Sequence, residues 1–120
     1  QKDISEVQFA KSAIRSGIEL LARRMQVSVG DIRKVYLAGA FGNYMNPVSA
    51  CRIGMIPPVL LDRIETIGNA AGEGAKLCAL NSTVNLLTAS FFAAKTEFLE
   101  LASCPEFQDC YIDHLMFGEE

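Results

Sequence analysis

Val35-Tyr36-Leu37-Ala38-Gly39-Ala40-Phe41-Gly42-Asn43, continuing as Tyr44-Met45-Asn46-Pro47, is the stretch on which the fold turns. Its first four residues are β-branched, aromatic or aliphatic, with no polar face. That is the pattern of a short strand covered on both sides, as in a parallel sheet flanked by helices. Gly39 and Gly42 follow at once. Both permit positive φ and carry no Cβ, so the chain can turn sharply at the carboxyl end of the strand and let a ligand approach its backbone. Asn46-Pro47 reads as a helix start, with Asn46 as N-cap and Pro47 at the first helical position, where its missing N–H costs nothing. Strand, glycine turn and helix start is where open α/β sheets place ligands. The same spacing also suits a tight connection with no ligand, and the stretch alone leaves both readings open.

Upstream, Ile4, Val7, Ala10, Ile14, Ile18, Leu21 and Met25 recur every three or four residues. They predict a helix from Asp3 to Met25 with one apolar stripe, and Asp3 with Glu6 forms a capping-box-like start. Lys11, Arg15, Glu19 and Arg23 fall on the opposite face, which reads as solvated, with Arg15 and Glu19, then Glu19 and Arg23, at ion-pair spacing. Nothing functional is read there. Gly17 in mid-helix costs about 1 kcal/mol relative to Ala, which points to close packing against another element. Within the connection Val27 to Lys34, Ser28 to Asp31 predicts a short helical turn.

Downstream, Val48 to Ile53 allows little more than one helical turn before Gly54 at a C′ position. Pro58 can open a second short helix, Val59 to Arg63, and Glu65-Thr66-Ile67-Gly68 reads as a second strand. That strand ends as the first does, in a small-residue turn, Gly68-Asn69-Ala70-Ala71-Gly72-Glu73-Gly74-Ala75, leading into a helix from Ala75 to Leu80. Two such units predict a parallel strand pair with both turns on one edge of the sheet. Asn81-Ser82-Thr83 marks a break and a new N-cap. Val84 to Ala102 then reads as a long helix, apolar most of the way round and therefore buried on more than one side. Pro105 starts a last helix with Phe107, Tyr111 and Leu115 inward and Cys110 and His114 as further candidates for that side.

Composition narrows the function. The 120 residues are half hydrophobic and 21% charged, a globular balance for a single domain that by its size can bury roughly 65% of its unfolded surface. Eleven basic against 14 acidic residues give a formal charge of −3, and the basic ones are scattered, so no stripe suits nucleic acid. No apolar run approaches the roughly 20 residues of a membrane span, and Gln1-Lys2-Asp3 does not open a signal peptide, so a cytoplasmic protein without nucleic-acid or membrane partners is expected. The four cysteines, Cys51, Cys78, Cys104 and Cys110, form no C-x-x-C pair. They read as buried reduced thiols rather than ligands of zinc or an iron–sulfur cluster. His114, the single histidine, reads as a surface or packing residue.

No G-x-x-x-x-G-K-[ST], G-x-G-x-x-G or G-x-S-x-G occurs, so P-loop, Rossmann and α/β-hydrolase readings fail on pattern. Asp62, Glu65 and Glu73 are the acid/base candidates. Only Glu73 lies in a glycine turn, and there it equally suits a first-turn glutamate facing its own helix dipole. A backbone-lined nucleotide pocket is the stronger reading, because glycines allow close approach and N–H groups at helix starts favour phosphate.

Leu37-Ala38-Gly39-Ala40-Phe41-Gly42-Asn43-Tyr44, Ile53-Gly54-Met55-Ile56-Pro57 and Ile67-Gly68-Asn69-Ala70-Ala71-Gly72-Glu73-Gly74-Ala75 together resemble the carboxyl-terminal domain of the reductive activators of corrinoid proteins. Val7-Gln8-Phe9-Ala10-Lys11-Ser12-Ala13-Ile14-Arg15 and Pro105-Glu106-Phe107 extend the resemblance over essentially the whole chain. It implies an α/β, helix-rich fold: the C-terminal part of a ribonuclease-H-like, actin-like ATPase lobe, with short parallel strands flanked by helices, here as one partial domain. It implies a parent activator that couples ATP hydrolysis, with Mg, to reduction of cobalt(II) to cobalt(I) in a partner corrinoid protein. Electrons come from an iron–sulfur cluster in an amino-terminal domain that these residues lack.

By position, the resemblance makes Gly39, Ala40, Phe41, Gly42 and Asn43 the adenosine motif and Gly68, Asn69, Gly72, Glu73 and Gly74 the second nucleotide-facing turn. It places no catalytic residue or metal ligand in the chain. The aspartate-bearing phosphate motifs are absent, so the chain alone is expected to hydrolyse nothing. Two rival readings stay open: a non-catalytic interaction or oligomerisation module with structural glycine turns, and a small thiol-dependent metal protein. An uncovered sheet edge at Val35 or the Phe91-Phe92 helix makes a homodimer the expected state.

Overall fold

The computed structural model describes residues 1–80 and 82–117, so the N-cap read at Asn81 lies outside the described residues. Cα packing divides the chain into two compact units: Gln1–Tyr36 with Met45–Glu65 and Glu100–Glu120, and Leu37–Tyr44 with Thr66–Leu99.

The first unit is built on α1, Lys2–Arg24, which begins one residue before the expected start, with Gln1 rather than Asp3 at the N-cap. Its orientation reverses the sequence reading. Ile4, Val7, Leu21 and Met25 are exposed, whereas Lys11, at 3% exposure, and Ser12, Ser16 and Gly17 are buried. The face read as solvated is the one on which α6, Pro105–Asp113, packs. Small side chains explain the choice, since interaxial distance is set by the residues at the contact and Ser12, Ser16 and Gly17 let a neighbour come close. A Cβ on Gly17 would lie 3.3 Å from Leu101 Cδ1, which is the close packing its position implied.

Polar groups on this face find partners on the opposing segment. Ser12 Oγ donates to the Tyr111 carbonyl, and Lys11 Nζ donates to the carbonyls of His114 and Met116 at 2.7 and 2.6 Å. A cation thus meets carbonyls left open at the end of α6. Burial and the neighbouring Arg15 charge lower the Lys11 pKa from its ordinary value.

α1 ends in a Schellman motif: Val27 N–H donates to Ala22 O, Gln26 N–H to Arg23 O, and Gln26 has φ +56°. α3, Pro47–Arg52, ends the same way, with Met55 N–H on Ala50 O, Gly54 N–H on Cys51 O, and Gly54 at φ +78°. Its start is as expected, Asn46 Oδ1 accepting from Ser49 N–H at 3.0 Å ahead of Pro47. The 3₁₀ turns Val29–Asp31 and Pro58–Arg63 occupy the two short helical segments anticipated. Ala50, Cys51, Met55, Ile56 and Leu60 form the apolar core here, with Leu60 fully enclosed.

β1, Val35–Ala38, and β2, Ile64–Gly68, pair in a parallel two-stranded sheet, as predicted. The strand is not covered on both sides: burial alternates along β1 and Tyr36 is exposed. An all-apolar run of four residues cannot distinguish a two-faced from a one-faced strand.

In the second unit the glycine turns are shorter than read. α2, Gly39–Tyr44, begins directly after β1, and α4 runs Ala70–Leu80 rather than from Ala75. Gly72, Glu73 and Gly74 are therefore helical. The helix overrides two glycines because Asn69 Oδ1 accepts from Gly72 N–H at 3.0 Å and caps it. α5, Ser82–Lys95, packs on α4 and stops seven residues before the expected Ala102. It is not buried on several sides: Val84, Leu86, Leu87, Phe91 and Phe92 are all exposed. Among the described residues, α1 packs most extensively on α6 in the first unit, and α4 on α5 in the second.

Candidate functional site

The residues expected to face nucleotide gather at the carboxyl ends of β1 and β2. Because the strands are parallel neighbours, both ends lie on one edge, and α2 and α4 start there. Gly39 at φ +76° and Gly68 at φ +61° occupy the left-handed region that glycine enters without strain. A Cβ on Gly68 would stand 4.0 Å from Asn43 Oδ1, so the two motifs meet at that point.

The glycines divide by what surrounds them. Gly42 is buried and helical, and a Cβ there would lie 2.7 Å from the Leu37 carbonyl carbon and 3.0 Å from its oxygen; its role is to let α2 fold back against β1, and it does not use the positive φ that glycine permits. A Cβ on Gly72 would collide with the Asn69 side chain that caps α4. Gly74 is different. It sits in a helix, where glycine costs about 1 kcal/mol relative to alanine, yet among the described residues no atom beyond its own helical backbone and chain neighbours lies within 4 Å of its absent Cβ.

Ala40, Phe41 and Asn43 are exposed along α2, and Phe41 offers an uncovered aromatic face. Glu73 lies in the first turn of α4, exposed and 3.5 Å from Lys76 Nζ, which fits the dipole-facing role better than an acid or base held in a pocket. The start of α4, the uncovered Gly74 and the exposed Phe41 ring all belong to the second unit.

A second constellation, missed by sequence reading, lies in the first unit. Glu19 on α1 and Cys110 and His114 at α6 present oxygen, sulfur and nitrogen donors within 4.8 Å of one another. Cys110 Sγ donates to Glu19 Oε2 at 3.4 Å, His114 Nε2 lies 3.1 Å from Glu19 Oε1, and Arg15 Nε donates to the same Oε1 at 2.6 Å. Burial alone would raise the Glu19 pKa; the bonds from Arg15, His114 and Cys110 outweigh it and hold the carboxyl below its ordinary range. Burial pushes the Cys110 thiol up. The i, i+4 spacing of Cys110 and His114 on one helix was the available signal. It carried no weight because Glu19, 91 residues upstream, was placed on a solvated face.

With this geometry in view, the matches to known proteins are specific. A family model described as the C-terminal domain of RACo, the ASKHA domain, matches residues 1–120, and the chain belongs to that family. The resemblance read from the glycine motifs is borne out. The corrinoid activation enzyme RamQ of Eubacterium limosum is 37% identical over 119 residues, which are 99% of this chain and 20% of that protein. The chain thus spans about a fifth of that relative's length.

Proposed function

We propose that the chain is the nucleotide-facing end of an ATP-dependent activator that drives reduction of cobalt(II) to cobalt(I) in a corrinoid protein. Gly74 carries the reading. A helix-weakening glycine whose missing side chain leaves open space, in the same unit as two strand-end glycines at positive φ, meets no packing need among the described residues, and ligand approach supplies one. The ASKHA family and the name of the RamQ relative support the nucleotide and corrinoid parts of the reading.

In this arrangement the chain positions and does not cut. Phe41 and the Gly39 turn hold the base and ribose, and the N–H groups opening α4 face phosphate. Bound ATP, with its Mg, supplies the hydrolysis free energy. Hydrolysis and the iron–sulfur centre are assigned to the longer parent protein, since the chain matches about a fifth of the RamQ relative.

Gly74→Phe in the full-length protein tests the site. Because the position is open, the melting temperature should hold within a few degrees while calorimetric ATP affinity falls at least about tenfold, or 1.4 kcal/mol. Unchanged affinity in a folded Gly74→Phe protein removes the nucleotide from this edge. The rival reading, a self-associating module, is favoured by the apolar face of α5 and is taken up below.

A further inference from the structure

We propose that Glu19, Cys110 and His114 form a binding site for a zinc-class divalent cation, clamping α6 to α1 and leaving a fourth coordination position open to solvent.

The donor set comes first. A thiolate, an imidazole and a carboxylate are the three side chains that zinc-class ions take, and three protein ligands with one exchangeable position is a recurrent arrangement. Spacing agrees. Metal–sulfur bonds of about 2.3 Å and metal–nitrogen or metal–oxygen bonds of about 2.0 Å, at tetrahedral angles, set donors about 3.3 to 3.5 Å apart. The Cys110 Sγ to Glu19 Oε2 separation is 3.4 Å, His114 Nε2 lies 3.1 Å from the other carboxylate oxygen, and one donor atom of each residue falls within 4.8 Å of the other two, so closing on a metal through Oε2 requires His114 to turn toward that oxygen.

An unpartnered polar group points the same way. Ser16 is fully buried, and among the described residues its hydroxyl makes no hydrogen bond of good geometry; its nearest polar neighbour is the Cys110 sulfur, whose thiolate form it favours. A metal-bound sulfur would accept from this buried hydroxyl, as outer-sphere donors do around ligating groups. The cluster also opens on a cleft of about 330 Å³ lined by Arg23 of α1 and by Glu106, Asp109 and Asp113, which share α6 with Cys110. Three carboxylates there favour a cation and can hold its fourth ligand, a water.

The guanidiniums do not block the site. Arg15 bonds Oε1 and leaves Oε2 free, while Arg23, 3.8 Å from Oε2, is an exposed side chain that can swing away. On binding, the Cys110 S–H bond breaks, its proton passes to solvent and the thiolate electron pair goes to the metal. No oxidant or reductant takes part.

Chelator-treated full-length protein titrated with Co²⁺ reads the site directly, since a thiolate ligand produces a sulfur-to-cobalt charge-transfer band. The expected result is such a band at one equivalent, lost in Cys110→Ser and retained in Cys78→Ser. Zn²⁺ affinity in competition should fall about a hundred-fold in His114→Gln and about tenfold in Ser16→Ala. His114 is half-exposed, so His114→Gln should keep its helical circular dichroism even if Cys110→Ser does not fold. A wild-type protein without the band, or a folded His114→Gln protein of unchanged Zn²⁺ affinity, overturns the proposal. ATP binding is not read in either measurement, so failure of the nucleotide site and failure of this one are separate results.

Discussion

Gln26 and Gly54 occupy the same place in the same motif, and only one is the residue the motif prefers. Both stand at C′ of a Schellman ending with φ above +50°, Gln26 after α1 and Gly54 after α3. A side chain in the left-handed region costs roughly 1 to 2 kcal/mol, of which glycine recovers part after its larger unfolded-state entropy is counted. Gln26→Gly should therefore raise unfolding stability by about 1 kcal/mol, seen as a higher urea midpoint at unchanged slope. The residue scale also shows why only one of the two was legible. Gly54 announces its turn by being glycine; Gln26 adopts the conformation because Ala22 and Arg23 offer carbonyls at the right distance, and composition does not encode that.

At the scale of elements, the strands and short helices were readable because each is bounded by a residue with one physical meaning. Gly39 and Gly68 end the strands, and Asn46-Pro47 opens α3. α1 was readable as a helix and not as a surface: periodicity assigns the apolar stripe to the interior, whereas α6 docks where Ser12, Ser16 and Gly17 leave room and Lys11 satisfies its final carbonyls. The Glu19, Cys110 and His114 cluster was hidden by the same error. α5 was misjudged differently. Its apolar circumference predicted burial, yet Phe91 and Phe92 are exposed at 56% and 63%, and Lys95 Nζ stacks 4.3 Å above the Phe91 ring. Such a face is sticky, since each large side chain left in water forgoes roughly 1.5 to 3 kcal/mol of burial. We propose that the 120-residue chain pairs with a second copy through α5. Light scattering at micromolar concentration should give twice the monomer mass, falling to the monomer in Phe91→Glu/Phe92→Glu; a monomeric wild-type chain would count against the module reading.

On the scale of the whole molecule, the buried apolar side chains among the described residues, Ala22, Ala50, Cys51, Met55, Ile56, Leu60 and Cys110, all belong to the first unit. The second unit, which holds every proposed nucleotide-facing residue, therefore has few buried contacts to resist local opening, and such segments exchange amide hydrogens readily. A ligand that binds only the closed form suppresses that opening by mass action. Hydrogen exchange of the full-length protein, with and without saturating ATP and Mg, thus tests the central claim most directly. Peptides covering residues 37–44 and 66–75 should gain protection of about a hundred-fold at a hundred times the dissociation constant, while those covering 105–117 should not change. Equal exchange at residues 37–44 and 66–75 with ATP bound elsewhere in the protein would contradict the assignment of this edge to the nucleotide.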